Sequence, residues 1–69
     1  MINVYIARMG HDEINLDVPE GSTVAAVFRQ AGMALEGREQ AFVMGVLATM
    51  DSVIEDGDVI SIVTPKQAA

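Results

Sequence analysis

DSVIEDGDVISIVTPKQAA, residues 51–69, holds the clearest structural signals in the chain. Asp56-Gly57-Asp58 reads as a turn: Gly57 has no Cβ to clash at positive φ, and the flanking aspartates can hydrogen-bond nearby backbone amides. Val59, Ile60, Ile62, Val63 and Thr64 are β-branched and follow at once, as expected for a strand covered on at least one face. Pro65 cannot donate to a sheet's hydrogen-bond ladder. The strand is therefore predicted to end there, with residues 65–69 leaving as a flexible tail and residues 1–64 forming the folded domain.

Read from Asp51 to Ile62, the run D-x-x-I-x-D-G-D-V-I-x-I resembles the signature of the small sulfur-carrier branch of the β-grasp (ubiquitin-like) proteins, the ThiS and MoaD type. An acidic-Gly-acidic turn ahead of an apolar strand also occurs as an ordinary turn. The resemblance implies an α+β β-grasp fold, a mixed four- to five-stranded sheet packed on one helix. In that family, members that carry sulfur end in Gly-Gly, whose carboxylate is adenylated and converted to a thiocarboxylate. This chain has Ala68-Ala69 at the corresponding distance from its turn. Alanine closes backbone conformations open to glycine, and its methyl group obstructs passage through a narrow channel in a partner enzyme. The expectation is a non-catalytic ubiquitin-like protein-interaction module related to ThiS/MoaD sulfur carriers. A sulfur carrier thiocarboxylated at Ala69 for cofactor biosynthesis and a virus- or phage-associated adaptor are the alternatives, since one fold serves many functions.

Composition bounds the other choices. At 69 residues the chain is one domain's length, and such a chain buries only about 60% of its unfolded surface, which leaves little room for a deep catalytic cleft. Half the residues are apolar, and the aromatics are Tyr5, Phe28 and Phe42, a composition suited to an aliphatic core rather than to disorder. Four basic residues, Arg8, Arg29, Arg38 and Lys66, face ten acids, for a net charge of −6. That balance argues against nucleic acid and anionic membrane, whose binding depends on clustered Lys and Arg, and favours a basic protein partner by steering. There is no cysteine, hence no disulfide, thiolate nucleophile or Cys-based metal site. Met1 to Arg8 lacks the basic start and long apolar run of a signal peptide, and no segment approaches a membrane span. A cytoplasmic protein is expected.

Along the chain, Ile2, Val4 and Ile6 alternate with Asn3, Tyr5 and Ala7, the period of a half-buried strand. Met9-Gly10-His11-Asp12 makes a turn, after which Ile14, Leu16 and Val18 mark a second strand paired with the first as a hairpin. Ser22 or Thr23 can cap a helix. Val24, Val27, Phe28 and Ala31 then fall at i, i+3, i+4 and i+7, one apolar face, and Gly32 is suited to end the helix. Residues 33–40 read as a surface loop, Ala41 to Met44 as a third strand, Gly45 as a turn and Val46 to Ala48 as a fourth strand. Sulfur carriers have Asn-Gly at this turn, of which Met44-Gly45 keeps only the glycine. Ser52 to Glu55 is predicted to form a single helical turn. The order ββαβ(β)β, with a right-handed crossing by the helix, permits the last strand to lie centrally beside the first.

No catalytic constellation emerges. The chain has one histidine, His11, in a turn beside Asp12 and Glu13; its serines are Ser22, Ser52 and Ser61, and no nucleophile-base-orienter set can be assembled. The acids Asp51, Glu55, Asp56 and Asp58 suggest a calcium loop. Setting Gly57 as the loop glycine, however, puts Ser52, Ile54 and Val63 at ligand positions, and the EF-hand pattern fails. No enzyme activity, cofactor or metal is expected. If Ile2, Val4, Ile6, Ile60 and Ile62 point inward, then Tyr5, Val59, Ser61 and Val63 point outward on a face with no helix to cover it. In the resembled family the sheet and tail dock on partner enzymes. The expected partner-binding residues are Tyr5, Val59, Ser61 and Val63 with the tail Pro65, Lys66, Gln67, Ala68 and Ala69, and the partner class implied is an adenylating or cofactor-synthesis enzyme.

Overall fold

The computed structural model describes residues 1–8 and 10–64. The five elements of the sheet are β1 (Ile2–Arg8), β2 (Ile14–Val18), β3 (Gln40–Val43), β4 (Val46–Ala48) and β5 (Val59–Val63), and the helix α1 is Val24–Ala31. The strand order is β2-β1-β5-β3-β4. β1 pairs antiparallel with β2 and parallel with β5, and β5 pairs antiparallel with β3. The last strand is therefore central, where the ββαβ(β)β order puts it. The expected turn residue Met9 and the tail residues Pro65, Lys66, Gln67, Ala68 and Ala69 lie outside the described residues.

One face of this sheet and the apolar stripe of α1 make the core. Ile2, Val4 and Ile6 of β1, Val18 of β2, Ala41 of β3, and Ile60 and Ile62 of β5 meet Val24, Val27 and Phe28 of the helix. Nothing polar is buried among them, so the core is held by apolar burial and close packing alone.

Each end of α1 is closed by identifiable groups. Thr23 is the N-cap, its Oγ1 accepting from the Ala26 amide at 3.3 Å. Ser22 is engaged elsewhere, donating its hydroxyl to the Pro19 carbonyl at 2.6 Å. Gly32, at φ 71°, ends the helix by turning its amide back on the Arg29 and Phe28 carbonyls.

The segment before β5 corrects one expectation. Ser52 to Glu55 is not a helical turn; it runs extended, with Val53 bridging to Thr23. The first helical amides supply the reason. Val24 donates to the Ser52 carbonyl and Ala25 to the Met50 carbonyl, both at 3.0 Å, while the Ile54 amide donates to the Ser22 carbonyl. Carbonyls that satisfy the orphan donors of α1 are unavailable for a local helix. The same path carries Ile54 into the core, where its side chain is fully buried.

The Asp56-Gly57-Asp58 turn is a structural clasp. Asp56 Oδ1 accepts from the Asn3 amide, and the Gly57 amide donates to the Asn3 carbonyl, each at 2.8 Å. Asp58 Oδ2 accepts from the Glu55 amide at 2.8 Å, and its carbonyl receives the Tyr5 amide at 3.0 Å. Gly57 sits at φ 84°, which favours glycine. Both carboxylates are thus occupied in fixing where β1 begins against β5.

Candidate protein-docking face

Strand alternation assigns the uncovered face. Ile6 and Ile60 are register partners and buried; their neighbours Tyr5 and Val59, also partners, project to the opposite side. Ser61 and Val63 follow on that side, Val63 being 38% exposed. The structure therefore brings together Tyr5, Val59, Ser61 and Val63, the four sheet residues expected from the sequence.

Two further residues join them. Ala41 is buried toward the helix, so its neighbour Phe42 faces outward, beside Ser61 on one flank and Leu47 on the other. Leu47 is 59% exposed. Neither was evident from the sequence, because Ala41-Phe42-Val43 and Val46-Leu47-Ala48 are apolar throughout and give no in-out contrast. The third strand is Gln40–Val43 and not Ala41 to Met44: Met44 belongs with Gly45 to a two-residue turn, which sets Phe42 opposite Leu47 and so places both on one face.

The outer face is divided. Across β1 and β2 it carries a polar ladder: Asn3 Nδ2 donates to Asp17 Oδ1 at 2.9 Å and to Asn15 Oδ1 at 3.2 Å, and Asn15 Nδ2 returns a bond to Asn3 Oδ1 at 2.8 Å. Across β5, β3 and β4 lie Val59, Val63, Phe42 and Leu47. An apolar strip bordered on one side by amides and a carboxylate is the form of a docking surface with a wet rim.

Where β5 leaves the sheet, Arg8 organises its surroundings. Its Nη2 donates to the Ala34 carbonyl at 2.8 Å and pairs with Glu39 Oε1 at 3.0 Å. Glu39 Oε1 also accepts from the Glu36 amide, so a single carboxylate oxygen ties the connection between α1 and β3 to the end of β1. A cavity of about 300 Å³ opens here, lined by Arg8, Glu39, Ile62, Val63 and Thr64. Arg8 Nε is buried beside it without a hydrogen-bond partner. Among the described residues, no three His, Asp or Glu side chains converge on a point where a metal could be held, and no helix is long and apolar enough to cross a membrane.

Comparison with solved structures places the architecture. A Pyrococcus furiosus protein described as a molybdopterin converting factor, subunit 1, superposes with a TM-score of 0.78, covering 96% of this chain and 100% of that one at 18% identity. The fold is the ubiquitin-like β-grasp. SAMP1 from Haloferax volcanii superposes with a TM-score of 0.72 over 97% of this chain and 99% of its own at 14% identity. The thiamine biosynthesis protein ThiS from Geobacter metallireducens gives 0.62 over 94% and 99%, also at 14% identity. The likeness to ThiS- and MoaD-type carriers read in residues 51–62 is thus met by likeness of the whole β-grasp architecture. Neither a protein-family model nor a curated protein matches the sequence.

Proposed function

We propose that the chain is a non-catalytic β-grasp interaction module related to the ThiS- and MoaD-type sulfur carriers, and that it docks on a protein partner through Tyr5, Val59, Ser61, Val63, Phe42 and Leu47. One observation carries this reading: an aromatic-aliphatic strip lies on the sheet face opposite the helix, and no element of the described chain covers it. The net charge of −6 favours a partner whose surface is basic around an apolar centre, by raising the rate of encounter. Residues 65–69 follow β5 in the sequence, and the tail is assigned to the same interface on the resemblance to sulfur carriers, whose sheet and tail dock together. The partner class proposed is an ATP-dependent adenylating or cofactor-synthesis enzyme.

Titration of the ¹⁵N-labelled chain with an adenylating enzyme from the same genome tests this. Shifts should concentrate on Tyr5, Phe42, Leu47, Val59 and Val63 and vanish in Val59→Asp. Shifts confined to α1 would overturn the assignment.

The structural likeness to ThiS and to a molybdopterin converting factor subunit favours a second reading, a sulfur carrier thiocarboxylated at the carboxylate of Ala69. Incubation with the adenylating enzyme, ATP and a sulfur donor, followed by intact mass measurement, separates the two. No mass gain is expected for the chain, with Ala68→Gly/Ala69→Gly as the control. A thiocarboxylated product from the unaltered chain would establish the carrier.

A further inference from the structure

The turn between β3 and β4 holds the one non-glycine residue at positive φ among the described residues, Met44 at 52°, followed by Gly45 at 82°. Positive φ at both central residues of a two-residue loop matches the twist of the strands it joins, and the Val43–Val46 pair closes the loop. The hairpin therefore sets this backbone, whatever side chain stands there. Asparagine or glycine meets it with least strain, whereas the Cβ of a methionine crowds the following carbonyl oxygen.

Packing inside the chain does not account for the methionine. Met33 and Met50 rest against the hydrophobic core, but Met44 is 64% exposed. Its amide donates to the Val59 carbonyl at 3.1 Å, one position beyond the Val43–Ile60 pair, so Met44 stands opposite Val59 at the end of the outer strip. Phe42 and Leu47 follow on the same face. An apolar side chain on a strained backbone, held in water beside an apolar strip, has its use outside the chain.

We propose that Met44 is an anchor of the docking face, a projecting side chain that enters an apolar recess of the partner enzyme and gives the face its selectivity. The inference rests on the docking role argued above and adds the residue that fixes the fit. Residues 40–50, QAFVMGVLATM, are the longest uncharged run in the chain, so a recess closing over Met44 desolvates no charge of this segment. A long, unbranched thioether adapts to the walls of such a recess and makes favourable contacts with aromatic rings. Asparagine at this position would ease the turn in the free chain but carry an unpartnered amide into the recess. Fold and binding thus place opposite demands on residue 44.

Dissociation constants for the adenylating enzyme from the same genome, with a thermal melt of each free chain, test it. Met44→Asn should melt higher than the unaltered chain and bind at least about tenfold more weakly. Met44→Gly, which frees the turn and removes the side chain, should also bind more weakly, while Met44→Leu should bind within about threefold of the unaltered chain. A merely structural role would move melt and affinity in the same direction; an anchor moves them in opposite directions. Met44→Asn binding as tightly as the unaltered chain, or Met44→Leu weakened as much as Met44→Asn, would overturn the anchor and leave the docking face standing. Failure of the unaltered chain itself to bind would overturn both.

Discussion

Within β5, neighbouring residues of nearly the same chemistry meet opposite environments. Ile60 and Ile62 are sealed between sheet and helix, whereas Val59 and Val63 stand on the face that the described chain leaves open. β-branched side chains on both faces of a central strand satisfy the backbone equally well, so propensity does not distinguish them. What differs is the cost of change. A substitution on the covered side must be absorbed by a core with no polar partner to offer, while one on the open side meets water or another molecule.

The largest expected effect follows at Ile62. Ile62→Asp would bury a carboxylate in place of a packed side chain, and since its register neighbour Arg8 is already paired with Glu39, most of the domain's stability should be lost. For a domain of this length, total stability is about 3–10 kcal/mol. Far-ultraviolet circular dichroism of the variant checks this; a cooperative melt near that of the unaltered chain would mean that the two faces have been assigned in reverse. Next in size is Asp56→Ala. Removing the acceptor for the Asn3 amide should destabilise by about 1–2 kcal/mol in urea titration. A change near zero would make Asp-Gly-Asp an ordinary surface turn rather than the clasp between β1 and β5.

Much of this was legible from the residues. The alternation in Ile2 to Ala7, the i, i+3, i+4, i+7 stripe from Val24 to Ala31 and the Asp-Gly-Asp turn each signal a local structure with a short-range cause, and together they suffice for the β-grasp. Residues 52–55 were misread because their conformation is set by distant partners. The Ser52 carbonyl serves the amide of Val24 and the Ile54 amide the carbonyl of Ser22, more than twenty residues earlier in the chain, and no local pattern records that. The choice between Ser22 and Thr23 as cap was open for a similar reason, being settled by the bond from Ser22 to the Pro19 carbonyl. On the open face, Tyr5, Val59, Ser61 and Val63 could be placed because β1 and β5 contain polar or small residues that mark the alternation. Phe42 and Leu47 could not, lying in runs where every position is apolar.

A smaller effect of opposite sign is expected at the hairpin. Met44→Asn relieves a left-handed conformation in the two-residue turn and should stabilise by about 0.5–1 kcal/mol. The comparison of faces predicts that this gain appears in the melting curve without altering the core. Were the variant less stable, the exposed methionine would have to be making contacts within the chain that compensate for its backbone.

The smallest change in stability should come from Val63→Asp, one residue from the substitution expected to destabilise the domain most. The side chain lies at the margin of the open face, paired in register with Gln40, so an aspartate there is hydrated and costs about 0.5 kcal/mol. Its effect belongs to binding: a carboxylate in the apolar strip should abolish the chemical-shift response to the adenylating enzyme while the spectrum of the free chain stays folded. The pair Ile62→Asp and Val63→Asp separates the two faces with the same new side chain on the same strand. If Val63→Asp also unfolded the domain, the strip would belong to the fold itself. If it folded and still bound, the partner would have to approach from elsewhere, and the apolar strip would no longer support a docking role.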